Sequence, residues 1–98
     1  MNMQKLMAEA QKMQKEIGKK KEEIDAKLFP GKYEWVDVVF NGKREMVSIT
    51  IKKDASLDIE DLEMLEDMIK LAVKDSLTKI DKEIKEKMGS MGSLNGLL

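Results

Sequence analysis

Lysine spacing is the feature of this 98-residue sequence that most directly suggests a chemistry. Lys5, Lys12 and Lys19 recur every seven residues, so on a helix they line one edge at intervals of about 10.5 Å. A second set, near the other end of the chain, consists of Lys79, Lys82 and Lys85. Rows of ammonium groups can contact backbone phosphates of a nucleic acid. Because i,i+4 pairs of opposite charge also merely solvate a helix, charge alone favours an ordinary helix surface over a phosphate site.

The other candidate groups predict neither catalysis nor metal binding. The sequence contains no Cys and no His, and Ser48, Ser56 and Ser76 have no candidate base to activate them. The acidic segment 58–67 lacks the spacing and internal glycine of an EF-hand, and it is better explained as the start of a helix with Asp58 as N-cap. The nine Met residues fit adaptable packing better than copper binding. We therefore predict no enzyme, no metal, no cofactor and no small-molecule substrate.

Composition predicts one small soluble domain. Hydrophobic residues make up 42% of the chain and charged residues 38%, with a net charge of −1. No run approaches the ~20 apolar residues of a membrane span, and the start lacks the apolar region of a signal peptide. We expect a cytoplasmic protein with no membrane partner. Residues 1–88 are expected to form a single domain, followed by a flexible tail at 89–98 that is rich in Gly and Ser.

Hydrophobic spacing predicts two long helices flanking a small antiparallel sheet, an α+β fold. Apolar residues at 3-4-3-4 spacing predict helices over 3–27 and about 59–88. Between them, β-branched residues over 33–53 predict a hairpin with a two-residue type I′ turn at Asn41-Gly42. A hairpin alone is marginal in water, so a third strand is expected at 26–29, before the break at Pro30-Gly31.

Two features predict self-association. A second helix of thirty residues would measure about 45 Å, longer than a domain of this size covers, so its far end should project or meet a partner chain. The predicted hairpin also has a second face that is only half polar, and it carries Trp35, Val39 and Met46. We predict that these three residues lie at a dimer interface.

Several segments in fixed order resemble the YbaB/EbfC family of bacterial nucleoid-associated proteins. They are QKMQ at 11–14, VDVVFNG at 36–42, VSITI at 47–51, DASL at 54–57, and EMLEDMI at 63–69 followed by Ala72 and Asp75. The resemblance implies an α-β-β-β-α subunit that forms an intertwined, tweezers-like homodimer. It also implies binding of double-stranded DNA in the nucleoid, with an architectural or gene-regulatory role.

Under this interpretation, both lysine sets become the predicted DNA contacts. The runner-up is a protein-interaction module whose helical arms grip a protein partner, which the acidic segment 58–67 would suit. An electrophoretic shift at low and moderate salt discriminates between the two.

Overall fold

Two helices and three strands follow one another in the order helix, strand, strand, strand, helix. A computed structural model describes residues 2–52 and 56–89. The elements are α1 (Met3–Ala26), β1 (Leu28–Tyr33), β2 (Val36–Asn41), β3 (Met46–Ile51) and α2 (Leu62–Met88), with a 3₁₀ turn at Ile59–Asp61 before α2. This is the predicted α-β-β-β-α order of an α+β fold. Apart from Gly89, the predicted tail at 89–98 lies outside the described residues.

The strands form an antiparallel sheet in the order β1-β2-β3. β1 is longer than the predicted 26–29, because it continues through Pro30 and Gly31, which the sequence suggested would break the chain. Proline is tolerated there since β1 is an edge strand. Gly31 is required because α2 crosses so close to it that a Cβ would collide with the backbone of Ala72.

The predicted two-residue turn at Asn41-Gly42 is wrong. The loop spans three residues, 42–44, and is closed by the N–H of Asn41, which donates to the carbonyl of Glu45 at 3.0 Å. Arg44 adopts the left-handed conformation that this loop needs, with φ of 65°. The carboxamide oxygen of Asn41 accepts from the N–H groups of Lys43 and Glu45 and holds the loop in place.

The longer loop shifts the strand register. Val38 lies opposite Ile49, whereas the predicted two-residue turn would have placed it opposite Glu45, and a bulge lies between Val39 and Phe40. Gly42 has a role other than the predicted one. Its N–H donates to the carbonyl of Asp25, and a Cβ at this position would collide with the last turn of α1. The end of α1 therefore decides the shape of the hairpin loop.

Two apolar clusters join α2 to the sheet. The first contains Val36, Val38, Leu65, Met68 and Ala72; the second contains Ile24, Phe29, Phe40 and Ile80. Ser76 is also fully buried, and its hydroxyl donates to the carbonyl of Phe29 at 2.6 Å. Buried side chains extend along α2 from Leu65 to Met88, so the far end of α2 does not project, and its predicted alternative, a contact with a partner chain, stays a prediction.

The projecting helix is α1. Among its 24 residues only Ile24 is buried, and Met3 is 70% exposed. By helix rise, α1 and α2 measure about 36 Å and about 40 Å, and together they slightly exceed the 71 Å long axis of the molecule. The radius of gyration is 19.4 Å, against about 13 Å for a compact domain of this length. Residues 3–20 of α1 thus form an arm that leaves the body of the protein.

Candidate nucleic-acid interface

The arm is a helix that the sequence stabilises locally. Asn2 is its N-cap, and the side-chain oxygen of Asn2 accepts hydrogen bonds from the N–H groups of Gln4 at 3.0 Å and Lys5 at 3.4 Å. Residues that favour helices, mainly Lys, Gln, Glu, Ala and Met, fill most of the following positions. The tip therefore stays helical even though nothing in the described body packs against it.

Three predicted lysines lie exposed on the arm. Lys5, Lys12 and Lys19 form no ion pair with any residue that the structure describes. The row spans roughly 21 Å by helix rise, and phosphates of one B-DNA strand recur about every 3.4 Å along the axis, so the row can follow about six of them. With five Lys and two Glu, the arm carries a net charge of +3.

The predicted lysines of α2 lie on the body, and two of them are engaged there. The ammonium of Lys79 donates to the carbonyl of Pro30 at 2.7 Å and lies 3.5 Å from the carboxylate of Asp75. Lys82 lies 3.9 Å from the carboxylate of Glu86. Lys85 is exposed and forms no ion pair within the described ranges. Lys79 therefore fastens β1 to α2, and the free cationic row is the one on the arm.

The predicted dimer-interface residues do not share one face. Trp35 lies in the turn between β1 and β2 and packs against the first apolar cluster. Val39 is half-buried, on the opposite face of β2 from the buried Val38. Met46 lies opposite Phe40, whose side chain is buried, and residues opposite each other point to the same face. The prediction of a shared face is wrong, because the turn and the bulge break the simple alternation.

A basic cleft at the base of the arm was not predicted. It has a volume of about 210 Å³ and lies between the end of α1, the β2–β3 loop and α2. Lys21 and Arg44 at its rim are paired with carboxylates, to Asp25 at 2.9 Å and to Asp81 at 2.5 Å. Lys43, also at the rim, has no such partner among the described residues. The adjacent Lys43 and Arg44 were the signal available in the sequence.

The base of the arm is also held to α2 by an ion pair. The ammonium of Lys27 lies 2.6 Å from the carboxylate of Glu83, and Lys87 lies 3.9 Å from the same group. The hydrogen bond from Lys27 and the charges of both lysines lower the pKa of Glu83. The pair therefore helps to set the direction in which the arm leaves the body.

The acidic segment 58–67 lies at the other end of α2. Leu65, which lies within this acidic segment, belongs to the first apolar cluster. The arm leaves the body from the second cluster, at Ile24. Within 2–52 and 56–89, no group of three acidic side chains is arranged to hold a metal ion, and neither helix is apolar enough to cross a membrane. The two ends of the protein thus carry opposite charge.

A basic helical arm on a small α+β body is the arrangement of a nucleic-acid-binding protein. The chain matches the profile of the YbaB/EbfC DNA-binding family over residues 1–95, and it belongs to that family. The family predicted from the sequence is confirmed.

Two relatives support the family assignment, and a solved structure shares the fold. The chain is 42% identical over 91 residues to a nucleoid-associated protein of Ligilactobacillus salivarius, a match that covers 91% of this chain and 86% of that protein. It is 42% identical over 92 residues to a nucleoid-associated protein of Streptococcus equi subsp. zooepidemicus, which covers 92% of each. The crystal structure of an uncharacterized protein from Helicobacter pylori has the same fold, with a TM-score of 0.75 and 24% identity over 93% of this chain and 97% of that chain. The family and the relatives' names indicate DNA binding and not catalysis.

Proposed function

We propose that this protein binds duplex DNA in the nucleoid as a homodimer and grips backbone phosphates with the lysines of its arms. The observation that carries the proposal is that α1 leaves the body and holds Lys5, Lys12 and Lys19 exposed along one edge. The role that follows is architectural or gene-regulatory, within the cytoplasm.

Charge separation allows a protein with net charge −1 to bind a polyanion. The acidic residue nearest the arm within segment 58–67 is Asp67, and helix rise puts it about 20 Å from Ile80, which packs at the base of the arm. The Debye length is about 8 Å at physiological ionic strength, so the acidic segment is screened from DNA on the arm. The local charge of +3 governs the approach of DNA.

The composition of the arm favours phosphate contact over base recognition. Residues 3–20 contain no Arg, the residue type that most often reads guanine with paired hydrogen bonds. The cations of the arm are all Lys, which acts on phosphate as a flexible point charge. Binding is therefore expected to tolerate most duplex sequences.

A homodimer would bind DNA more tightly than a single arm can. The row on one arm holds only three lysines, and each phosphate contact weakens with salt as its counterion is released. Two arms on one duplex double the contacts and add the effective concentration of a linked site.

A mobility-shift series on three duplexes of unrelated sequence tests the proposal. The wild type should shift all three similarly, and the variant with Lys5, Lys12 and Lys19 all changed to Gln should shift none at moderate salt. The matched control changes Lys43, Lys70 and Lys74 to Gln, which removes the same charge from exposed positions off the arm. Equal binding by the arm variant and the wild type would refute the arm as the grip.

A second candidate is a protein-interaction module, and the acidic end of α2 favours it. Leu62 is 51% exposed and Met64 53% exposed among the acids there, so the surface is both charged and apolar. If the wild type shifts no duplex at low salt, this second function replaces the first.

A further inference from the structure

The arm carries an apolar stripe that nothing in the described body covers. The stripe consists of Met3, Leu6, Ala10, Met13 and Ile17. Met3 is 70% exposed, Leu6 44% and Met13 52%. Ile24, two turns beyond Ile17 on the same face of α1, is buried in the second apolar cluster together with Ile80 of α2. The stripe therefore continues a packing face of α1 past the point where α2 packs on it.

The stripe and the lysine row lie on nearly opposite edges of the arm. At about 100° per residue, the mean directions of Lys5, Lys12 and Lys19 and of the stripe differ by about 140° around the helix axis. When the row lies on phosphates, the stripe points away from the duplex. DNA binding by the row therefore leaves the stripe exposed for another partner.

We propose that the stripe packs antiparallel against the same stripe of a second homodimer, so that the paired arms bridge two DNA duplexes. This inference rests on the proposed function, because each arm must hold DNA by its lysine row. Ala10 lies at the centre of the stripe, and we place it on the two-fold axis. Leu6 then meets the partner's Met13, and Met3 meets the partner's Ile17. A small residue at the axis lets the two helices approach closely.

The position of α2 selects the antiparallel direction. α2 packs on the face of α1 that continues the stripe at the base of the arm, at Ile24. In a parallel pair, the ends of both α2 helices would therefore lie between the two arms and hold them apart. Antiparallel arms place the two bodies at opposite ends, and the stripes overlap over residues 3–17, a length of about 21 Å.

The size of the stripe favours a second copy of this chain as its partner. A helix pair of this length buries on the order of 800 Å² in total, whereas stable complexes bury about 1,200 Å² or more. Free homodimers are therefore expected to stay apart. Copies held along neighbouring duplexes reach a high effective concentration, which makes a weak contact form. DNA binding itself thus brings the partner to the stripe.

Charge does not oppose this arrangement. The axes of packed helices lie about 8 to 10 Å apart, and side chains extend about 5 to 6 Å from each axis. The two lysine rows, which point outward from the pair, therefore lie roughly 20 Å apart. This distance exceeds the Debye length of about 8 Å, so the two bound duplexes are screened from each other.

A bead assay tests the bridging. One biotin-labelled duplex on streptavidin beads is loaded with protein and is then offered a fluorescent duplex of unrelated sequence. The wild type should retain the fluorescent duplex on the beads. Leu6→Gln keeps the charge and the helix propensity of the arm. It should retain less by about tenfold or more, because each arm pair loses two buried leucine side chains.

The matched control for the bead assay is Leu71→Gln. Leu71 is 41% exposed against 44% for Leu6 but lies on α2, away from the arm. This control should retain the fluorescent duplex as well as the wild type does. In fluorescence anisotropy, both variants should bind a single duplex with the affinity of the wild type, because the lysine row is intact in each.

A cross-linking variant tests the two-fold axis. The chain has no cysteine, so Ala10→Cys introduces a single thiol there. Facing Cα atoms of packed helices lie about 5 Å apart, within the range of a disulfide. With duplex DNA present, mild oxidation should cross-link Ala10→Cys much faster than Gln11→Cys, whose thiol points about 100° away. Freed from DNA, the product should sediment above twice 11.2 kDa, because the disulfide joins two homodimers.

The results separate two failures. A wild type that binds no duplex would refute the proposed function. A wild type that binds DNA would overturn the arm pairing alone under any of three outcomes. It retains no second duplex, or Ala10→Cys cross-links no faster than Gln11→Cys, or Leu6→Gln bridges as well as the wild type. The last result would mean that each homodimer holds one duplex on each arm, or that another partner occupies the stripe.

Discussion

Replacing Lys12 by Gln should reduce the salt dependence of DNA binding without loss of stability. The side chain is exposed, lies in the middle of the lysine row, and makes no ion pair in the described part of the chain. Glutamine keeps the helix propensity of the position and removes only the charge. Surface changes of this kind stay within about 0.5 kcal/mol of the wild-type stability.

The expected magnitude follows from the number of lysines in the row. If a dimer places three lysines of each arm on phosphates, six contacts give a slope of log K against log salt of about −5.4, at about −0.9 per contact. The affinity then falls by about 10³ between 50 and 200 mM salt. Lys12→Gln removes one contact per arm, so the slope becomes about −3.6 and the same salt step costs about 150-fold.

Fluorescence anisotropy with one labelled duplex over this salt range measures the slope directly. Lys43→Gln is the matched control, since Lys43 is also exposed and unpaired within the described ranges but lies in the β2–β3 loop. Its slope should equal that of the wild type. A wild-type slope for Lys12→Gln, together with a reduced slope for Lys43→Gln, would show that the cleft at the base of the arm holds the DNA.

Three further changes test how the body holds the arm. Gly42→Ala should destabilise the fold by about 1 to 3 kcal/mol in a denaturant titration, because a Cβ there meets the backbone at the end of α1. The control is Gly18→Ala, which lies in open space on the arm and should show no loss of stability in the same titration. Ser76→Ala should cost about 1 to 3 kcal/mol in the same titration, since the buried carbonyl of Phe29 loses its side-chain donor, and an unchanged midpoint would contradict this. The lowered pKa of Glu83 means that its pair with Lys27 contributes stability above the ordinary carboxyl pKa, and this contribution is lost as pH falls through the lowered value. Lys27→Met should therefore make stability less dependent on pH in the acidic range, and an unaltered acid profile would show that the pair contributes nothing.

Local patterns in the sequence were sufficient to predict the order of the helices and strands and the exposed row of lysines. The 3-4-3-4 spacing from Met3 to Ile24 predicted α1 to within one residue of its observed end. The seven-residue recurrence of Lys5, Lys12 and Lys19 predicted one exposed edge, because side-chain direction along a helix depends only on its own geometry. The α+β order followed from the change of period between helices and strands.

Tertiary contacts decided which of these features remain free. From the sequence, Lys79 and Lys12 were both predicted to contact DNA. In the structure, only Lys79 of the two donates to a backbone carbonyl, that of Pro30 on β1. The hairpin register depends on the packing of Gly42 against the end of α1 at Asp25, which lies seventeen positions earlier in the chain. Likewise, both helices carry apolar stripes, and only the packing of α2 on the sheet leaves α1 as the arm. Periodicity is a property of neighbouring residues, whereas the partner of a stripe, a turn or a charge is supplied by segments distant in the chain, so only the folded structure determines it.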